Sequence, residues 1–240
     1  MKTIGMLGGM GPEATLDCFG KIIKNTPARR DQDHLRVIID SNPQVPDRTA
    51  AIIGRGESPL PALVAGCRIL ERAGADFIII PCVSAHVFLA DVQVQINLPI
   101  LSIFDAVAEA LHREHPRIKT VGLLATTGTI QGGLFQKRLA ADGVQTSVPA
   151  DTVQSRIMQA IYEIKNARSA RTRTEITADL KAAAESLIAP QPHGAQGIVA
   201  GCTEIPLALG PEDLTVPYFD ALTILARAAI RRAGVEPVAR

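Results

Sequence analysis

A nine-residue segment occurs twice in this chain. Residues 74–82 (GADFIIIPC) and 194–202 (GAQGIVAGC) both begin with Gly-Ala, continue through apolar residues and end in a cysteine. A short apolar run bounded by turn residues predicts a buried parallel strand. The end of such a strand is where open α/β sheets bind their ligands. The repeat therefore predicts two similar halves, each with a thiol at the end of one strand.

Further repeats support an internal duplication. Two more pairs of segments occur in the same order, residues 2–7 with 119–124 and residues 103–106 with 218–221. Unduplicated α/β chains also reuse similar strands. Three matched segments in the same order are more than such reuse explains, so they indicate a duplication. If a pseudo-twofold axis relates the halves, Cys82 and Cys202 line opposite walls of one cleft.

The predicted elements alternate between strands and helices, which indicates parallel sheets. The predicted strands are residues 3–7, 36–40, a run ending at 82, and 100–104; the predicted helices are 12–24, 59–73, 84–94 and 153–173, the last as an exposed connection. We predict an α/β fold of two similar parallel-sheet subdomains with the active site in the cleft between them. Residues 1–115 with 211–240 form the first subdomain and residues 116–210 the second.

Composition excludes several functional classes. A net charge of +1, no Trp and two Tyr give neither the basic surface nor the stacking platforms of a nucleic-acid binder. No apolar run approaches the ~18 residues of a membrane span, and the N-terminal residues lack a signal-peptide pattern. Four cysteines without CxxC spacing predict a cytoplasmic protein with reduced thiols.

The four cysteines fall into two groups. Cys18 and Cys67 lie within predicted amphipathic helices, where a cysteine is most often a small buried apolar residue. Cys82 and Cys202 each end a predicted strand and are followed by a hydroxyl residue, Ser84 or Thr203, that can begin a helix. A helix N-terminus stabilises an anion and lowers a thiol pKa from about 8.5. Cys82 and Cys202 are therefore the candidate reactive thiols.

One thiol on each side of a substrate suits the inversion of a stereocentre. One thiolate removes the proton from Cα on one face, and the opposite thiol returns a proton on the other face. The two groups exchange roles in the reverse direction.

Four motifs resemble the aspartate/glutamate racemase family. They are residues 7–15 (LGGMGPEAT), 46–49 (PDRT), 81–86 (PCVSAH) and 201–207 (GCTEIPL). The resemblance covers essentially the whole chain. It implies two α/β subdomains, no pyridoxal phosphate, no metal, a homodimer, and catalysis by Cys82 and Cys202.

The resemblance also implies which residues hold a small acidic substrate. The arginine of the P-D-R-T stretch and the lysine of a later I-Y-x-x-K stretch bind carboxylates in that family, and Arg48 and Lys165 occupy these positions. Arginine provides a bidentate fork and lysine a point charge, which suits two carboxylates on one molecule. The expected substrate-binding residues are Met10, Arg48, Thr49, Ser84, Lys165 and Thr203, with backbone N–H groups around Met10 and Gly11 as a further carboxylate site. His86 and Glu204 are expected to support these residues.

The sequence departs from the family pattern at Val83. The family usually has Cys-Asn-Thr-Ala-His after the first cysteine strand, and valine cannot replace an amide that binds an α-amino group. The prediction is a cofactor-independent racemase of aspartate or glutamate. A maleate isomerase, a malonate decarboxylase or another enzyme of a non-amino diacid on the same fold stays an alternative.

Other functions are compatible with parts of the sequence. Residues 9–14 fit the dinucleotide fingerprint G-x-G-x-x-A, with Asp40 placed to meet a ribose. Zinc is a second alternative, with the ligand set Cys82, His86, Cys202 and Glu204. The third alternative is a protein without turnover, either a small-acid binder or a redox-sensing dithiol. The dinucleotide site leaves the paired cysteines unexplained.

Overall fold

The fold is taken from a computed structural model that describes residues 1–166, 168–189 and 194–239. It confirms the predicted α/β class with two parallel sheets. The chain forms two compact units, Met1–Ala106 with the chain from Leu222 onward, and Val107–Ala221. The subdomain boundaries predicted from the sequence, at 115/116 and 210/211, stay a prediction, as do the twofold axis and the cleft.

The first unit contains a three-stranded parallel sheet with the order β2-β1-β3. Its elements are β1 (Ile4–Gly8), α1 (Pro12–Asn25), β2 (Val37–Ser41), α2 (Arg48–Ile52), α3 (Leu60–Arg72), β3 (Phe77–Ile79), α4 (Leu89–Gln93) and the start of α5 (Ile103–Glu114). Leu7 pairs with Asp40 on one side of β1, and Met6 pairs with Ile79 on the other.

The second unit contains a four-stranded parallel sheet with the order β5-β4-β6-β7. Its elements are β4 (Thr120–Ala125), α6 (Thr127–Gly132), α7 (Leu134–Ala141), β5 (Gln145–Ser147), α8 (Asp151–Lys165), α9 (Arg173–Ile188), β6 (Ile198–Gly201) and β7 (Tyr218–Asp220). Helix α10 (Ala221–Arg232) follows β7 and belongs to the first unit from Leu222 onward.

Both units are built around apolar strands that are covered by amphipathic helices. In α3 the buried positions Leu63, Val64, Cys67 and Leu70 follow the helical period and pack against the strands. Cys67 and Cys18 have no exposed surface, which confirms their prediction as core residues. Within the described residues, no helix is both long and apolar enough to cross a membrane.

Residues 222–238 complete the first unit. Lys2 N donates to Ala233 O at 3.0 Å. The buried Arg227 donates from Nη1 to Asn25 Oδ1 at 2.7 Å and to Val238 O at 3.0 Å. These bonds fix residues 222–238 against the region of β1 and α1.

Two predicted elements are wrong. Residues 100–104 form no strand: Ile100 makes a bridge with Ile78, and α5 begins at Ile103 because Ser102 Oγ accepts from Asp105 N at 3.2 Å. Residues 153–173 are not one exposed helix. The helix α8 ends at Lys165 with a buried apolar face, and α9 begins at Arg173 after a Thr172–Glu175 capping box. Residue 167 lies outside the described residues.

Candidate active site

The carboxyl ends of β1, β2 and β3 meet at one edge of the first sheet because the strands are parallel. The loop after β1 contains Gly9 and Met10, and the segment after β2 leads to Arg48. Cys82 lies three residues beyond the end of β3, so the strand ends earlier than predicted. This edge brings Met10, Arg48, Cys82 and Ser84 into one unit.

The glycine loop after β1 is shaped by close packing. Gly9 has φ of 91°, and a Cβ at this position would lie 2.3 Å from the backbone of Asn42. Thr15 Oγ1 accepts from Gly9 N at 2.8 Å and donates to Gly11 O at 2.9 Å. Packing against Asn42 thus requires Gly9 whether or not a nucleotide binds there. The side chain of Met10 is buried in the core.

Arg48 is fixed by backbone carbonyls. Its Nη1 donates to Val45 O and Pro46 O, both at 2.9 Å, and its Nη2 donates to Met10 O at 3.4 Å. The residue is 9% exposed, and its Nε is buried with no hydrogen-bond partner within the described residues. The guanidinium is therefore held in place with one donor unused. The neighbouring Thr49 is buried in the first turn of α2.

Cys82 has a hydroxyl neighbour. Its Sγ lies 3.6 Å from Ser84 Oγ, and either atom can donate. Cys82 is 4% exposed, and it shares an apolar cluster with Met10, Val45 and Ala85. Ser84 begins a 3₁₀ helix that leads into α4, which confirms the predicted helical character of residues 84–94.

His86 has a structural role in the first unit. Its Nδ1 accepts from Ile103 N at 3.3 Å, so its Nε2 carries the proton and donates to Ile80 O at 3.0 Å. Burial of the ring lowers its pKa from 6.5 to about 4. Both ring nitrogens are thus occupied, which argues against His86 as a zinc ligand. Within the described ranges, no group of three or more His, Cys, Asp or Glu side chains could hold a metal ion.

The second sheet has the other cysteine at its carboxyl edge. Cys202 directly follows β6, is 5% exposed, and donates from Sγ to Glu204 Oε2 at 3.0 Å. Thr203 Oγ1 donates to the same oxygen at 3.2 Å. Glu204 therefore contacts the thiol of Cys202 directly.

The expected lowering of the Cys202 pKa by a helix N-terminus is wrong. Burial of the thiol, followed by the negative charge of Glu204, raises the pKa of Cys202 well above its ordinary value, and Lys165 opposes this only in part. A single 3₁₀ turn, Ile205–Leu207, follows instead of an α-helix. Cys202 is thus a protonated thiol at neutral pH.

Lys165 lies at the end of α8 and reaches the same carboxylate. Its Nζ is 3.4 Å from Glu204 Oε1, so Glu204 contacts the thiol with one oxygen and the ammonium with the other. Lys165 is 28% exposed in its side chain, whereas Glu204 is 3% exposed. The second unit therefore joins a thiol, a carboxylate and a cation.

Sequence reasoning missed polar residues at this second edge. Thr126 caps α6 by accepting from Thr129 N, and the buried Gln154 of α8 bonds to Ala125 O and Thr127 Oγ1. The repeat of residues 2–7 in 119–124 contains a signal for the threonines, because it aligns residues 126 and 127 with the glycine loop of the first half. No comparable signal exists for Gln154.

Comparison with known proteins identifies relatives along the whole chain. The model of the Asp/Glu/hydantoin racemase family matches residues 7–229. The broad specificity amino-acid racemase RacX of Bacillus subtilis (strain 168) is 29% identical over 231 residues, which cover 95% of this chain and 96% of that protein.

Solved structures give the same result. The aspartate racemase of Picrophilus torridus superimposes with a TM-score of 0.86 at 28% identity, over 99% of this chain and 96% of that one. An aspartate racemase homologue from Pyrococcus horikoshii OT3 has a TM-score of 0.73 at 29% identity, over 97% of this chain and 99% of that one.

Proposed function

The chain belongs to the Asp/Glu/hydantoin racemase family, and we propose from this premise that it racemises a small acidic amino acid, with aspartate or glutamate first. Membership makes it an isomerase, in agreement with the names of its relatives. The proposal adds the substrate class and a two-thiol mechanism. It requires neither pyridoxal phosphate nor a metal.

The observation that carries the proposal is the pair of partnered thiols. In each unit a cysteine lies at the carboxyl edge of a parallel sheet and contacts a side-chain oxygen, Ser84 Oγ at 3.6 Å or Glu204 Oε2 at 3.0 Å. Cys82 and Cys202 retain 4% and 5% of their surface, whereas Cys18 and Cys67 retain none. The candidate thiols thus differ from Cys18 and Cys67 in exposure.

The proposed reaction is proton transfer at Cα. The Cys82 thiolate removes the Cα proton, and the electron pair of the C–H bond delocalises into the adjacent carboxylate. The Cys202 thiol then donates its proton to the opposite face and becomes a thiolate. One proton leaves carbon and one returns, so the product is the enantiomer and the two sulfurs have exchanged protonation states. The working enzyme must present both sulfurs to the same carbon.

Glu204 supports this assignment of the first base and the first acid. Because its carboxylate accepts a hydrogen bond from Cys202 Sγ and carries a negative charge, it keeps that thiol protonated in the resting protein. Ser84, the neighbour of Cys82, is a neutral hydroxyl. The resting state therefore favours Cys82 as base and Cys202 as acid.

Arg48 and Lys165 are proposed to bind the two carboxylates. The buried Arg48 Nε is an unused donor on a guanidinium that its other contacts hold in place. Lys165 is partly exposed and only 3.4 Å from Glu204, so a substrate carboxylate would compete with Glu204 for it. Each anchor suits an anion because neither can accept a hydrogen bond.

Incubation in heavy water tests the proposal. The wild-type protein should incorporate deuterium at Cα of aspartate or glutamate while inverting it. Cys82→Ala and Cys202→Ala should each lower the racemisation rate by about 10³-fold or more, because each removes one of the two proton carriers. Chiral chromatography measures inversion, and mass spectrometry measures the deuterium.

Cys67→Ala is the matched control because it makes the same substitution at a thiol in the core. It should lower stability but leave the rate per folded molecule unchanged. Racemisation that survives either Cys82→Ala or Cys202→Ala at the wild-type rate would contradict the two-thiol mechanism.

Val83 supports a second candidate, an isomerase of a non-amino diacid. The side chain is 2% exposed and apolar where the family usually has an amide. Turnover of maleate, with no deuterium incorporation into aspartate or glutamate, would favour this candidate over the racemase.

We also propose that the protein acts as a homodimer through α1. Leu16 is 71% exposed and Ile23 is 42% exposed, and between them a Cβ on Gly20 would meet nothing within 4 Å. A mid-helix glycine is unfavourable in a monomer, but it allows a second helix to approach closely. In an antiparallel pair of α1 helices, Glu13 of one copy would lie near Lys24 of the other.

Sedimentation measures the assembly. Leu16→Glu with Ile23→Glu should convert the dimer to a monomer, because charges replace the apolar contact. Ile69→Glu, at a 45% exposed position of α3, is the control and should leave the dimer intact. A wild-type monomer at micromolar concentration would refute the interface.

A further inference from the structure

Gln154 is a buried amide with a fixed orientation. It lies in α8 with 9% exposure, and its Nε2 donates to Ala125 O at 3.0 Å and to Thr127 Oγ1 at 3.2 Å. A carbonyl oxygen can only accept, so the nitrogen of the amide must face Ala125. The oxygen of Gln154 then points away from the backbone of β4.

The other end of this amide is unused. Gln154 Oε1 is buried and has no hydrogen-bond donor within the described residues. Most buried polar atoms in folded proteins have a partner, so an unpartnered acceptor held in a defined direction indicates a missing donor. No described neighbouring side chain provides that donor, so the acceptor is available to a ligand.

Strand register places the Gln154 amide at the same edge of the second sheet as the thiol of Cys202. Ala125 of β4 pairs with Gly201 of β6, so the next residues along the two strands, Thr126 and Cys202, lie at the same level of the sheet edge. The Gln154 amide bonds to the residues on both sides of Thr126. It therefore lies at the carboxyl edge at the level of Cys202.

We propose that Gln154 Oε1 accepts a hydrogen bond from the α-ammonium of the amino-acid substrate. The inference rests on the proposed function and deepens it. Arg48 and Lys165 can only donate and serve carboxylates, and Val83 offers no polar atom. A neutral amide oxygen binds an ammonium without competing for the proton that moves at Cα. Gln154 thus supplies the head-group contact that Val83 cannot make.

Paired binding measurements test this assignment. Racemic aspartate and succinate have the same two carboxylates, and succinate lacks the ammonium. Gln154→Met should raise the calorimetric Kd for racemic aspartate by about ten- to a hundredfold, the usual effect of losing a hydrogen bond to a charged group. The Kd for succinate should change by less than about threefold. The use of racemic ligand prevents turnover from altering the titration.

Gln136→Met is the matched control. Gln136 also donates from Nε2 to a backbone carbonyl, that of Ile130, and also has a buried Oε1 without a partner, but it lies on α7. It should leave the ratio of the two Kd values unchanged. Equal weakening of aspartate and succinate by Gln154→Met, or an unchanged ratio, would overturn the assignment.

A second variant covers the case in which Gln154→Met does not fold. Gln154→Asn keeps the amide but withdraws it by one methylene, so it should lower discrimination for aspartate over succinate; an unchanged ratio again overturns the assignment. Binding does not depend on turnover, so the two proposals can fail separately. Racemisation with an unchanged ratio removes the role of Gln154 alone, and a changed ratio without racemisation removes only the racemase function.

Discussion

The segments that follow the two cysteines differ in chemistry although the repeat aligns them. Residues 82–86 are Cys-Val-Ser-Ala-His, and residues 202–206 are Cys-Thr-Glu-Ile-Pro. Both segments leave a parallel strand and enter a 3₁₀ helix. The first thiol meets a neutral hydroxyl, and the second meets a carboxylate that is paired with a lysine. The two segments share a backbone plan, and their side chains differ as the proposed acid and base roles would require.

Arg48 and Lys165 also differ in their burial and in the groups that they contact. Arg48 is buried and bound to three backbone carbonyls, whereas Lys165 is partly exposed and contacts a side-chain carboxylate. The first unit therefore offers a rigid anchor. The second unit has a partly exposed cation, and under the proposed function a substrate carboxylate would replace its contact with Glu204.

The largest effect that we expect from this comparison is a loss of kcat/KM on substitution of Arg48. Arg48→Lys should lower kcat/KM by about a thousandfold, because lysine cannot bond three carbonyls and still present a fork to a carboxylate. Lys165→Arg should cost less, about tenfold, since the position is partly exposed. Initial-rate kinetics of both variants measure the difference.

Arg55→Lys is the control for the Arg48 substitution, since this arginine is exposed in the same region. It should behave as wild type. Equal losses in Arg48→Lys and Lys165→Arg would show that the two anchors are not different in kind.

The next effect concerns His86, which has Pro206 as its counterpart in the other half. Because the folded pKa of His86 is about 4 and the unfolded value about 6.5, the unfolded chain binds more protons between these pH values. Its contribution to stability is complete above pH 6.5 and is lost as the pH falls toward 4. The loss is about 3 kcal/mol, roughly a hundredfold in the unfolding equilibrium.

Urea unfolding at pH 7 and pH 4.5 checks this prediction. His86→Gln should reduce the difference between the two free energies of unfolding, because glutamine can bond the same backbone groups without titrating. His112→Gln, at an exposed position, is the control. A pH dependence that is the same in His86→Gln and wild type would exclude His86 as its source.

The smallest expected effect is a change in the alkylation rate of Cys202 when the carboxylate of Glu204 is replaced. Glu204→Gln removes a charge that raises the pKa of Cys202, so its thiolate fraction at pH 8 should rise. Alkylation of Cys202 by iodoacetamide should become about tenfold faster, and alkylation of Cys82 should stay within about twofold. Peptide mass spectrometry separates the two cysteines.

Ser84→Ala is the matched variant in the first unit. It should leave the alkylation rate of Cys202 unchanged, because Ser84 contacts Cys82. If Glu204→Gln accelerated the alkylation of both cysteines equally, the two thiols would not have separate environments.

Strands and core helices were predictable because their signals are local. Apolar runs and turn residues predict β1, β2 and α3 to within one residue at most ends. The two wrongly predicted segments also contain local signals of a helix start. Ser102-Ile-Phe-Asp105 and Thr172-Arg-Thr-Glu175 both place a hydroxyl three residues before an acid, which is the pattern of a helix start.

The contacts of the candidate site were less predictable. The repeat and the motifs point to Cys82 and Cys202, but the bond from Cys202 to Glu204 depends on side-chain rotamers at a buried edge. Gln154 is remote in sequence from β4, and its orientation is set by the carbonyl of Ala125. Sequence periodicity contains no information about such contacts.

The discontinuous first unit has a consequence for synthesis on the ribosome. Translation proceeds from the N-terminus to the C-terminus, so the Val107–Ala221 unit has its full set of residues before residues 222–238 emerge. Until then Lys2 and Asn25 lack the backbone and guanidinium partners that Ala233 and Arg227 provide. The Val107–Ala221 unit should therefore be able to fold before the first unit does. A stall or stop codon shortly after residue 221 would leave the unit that contains Cys82 incomplete.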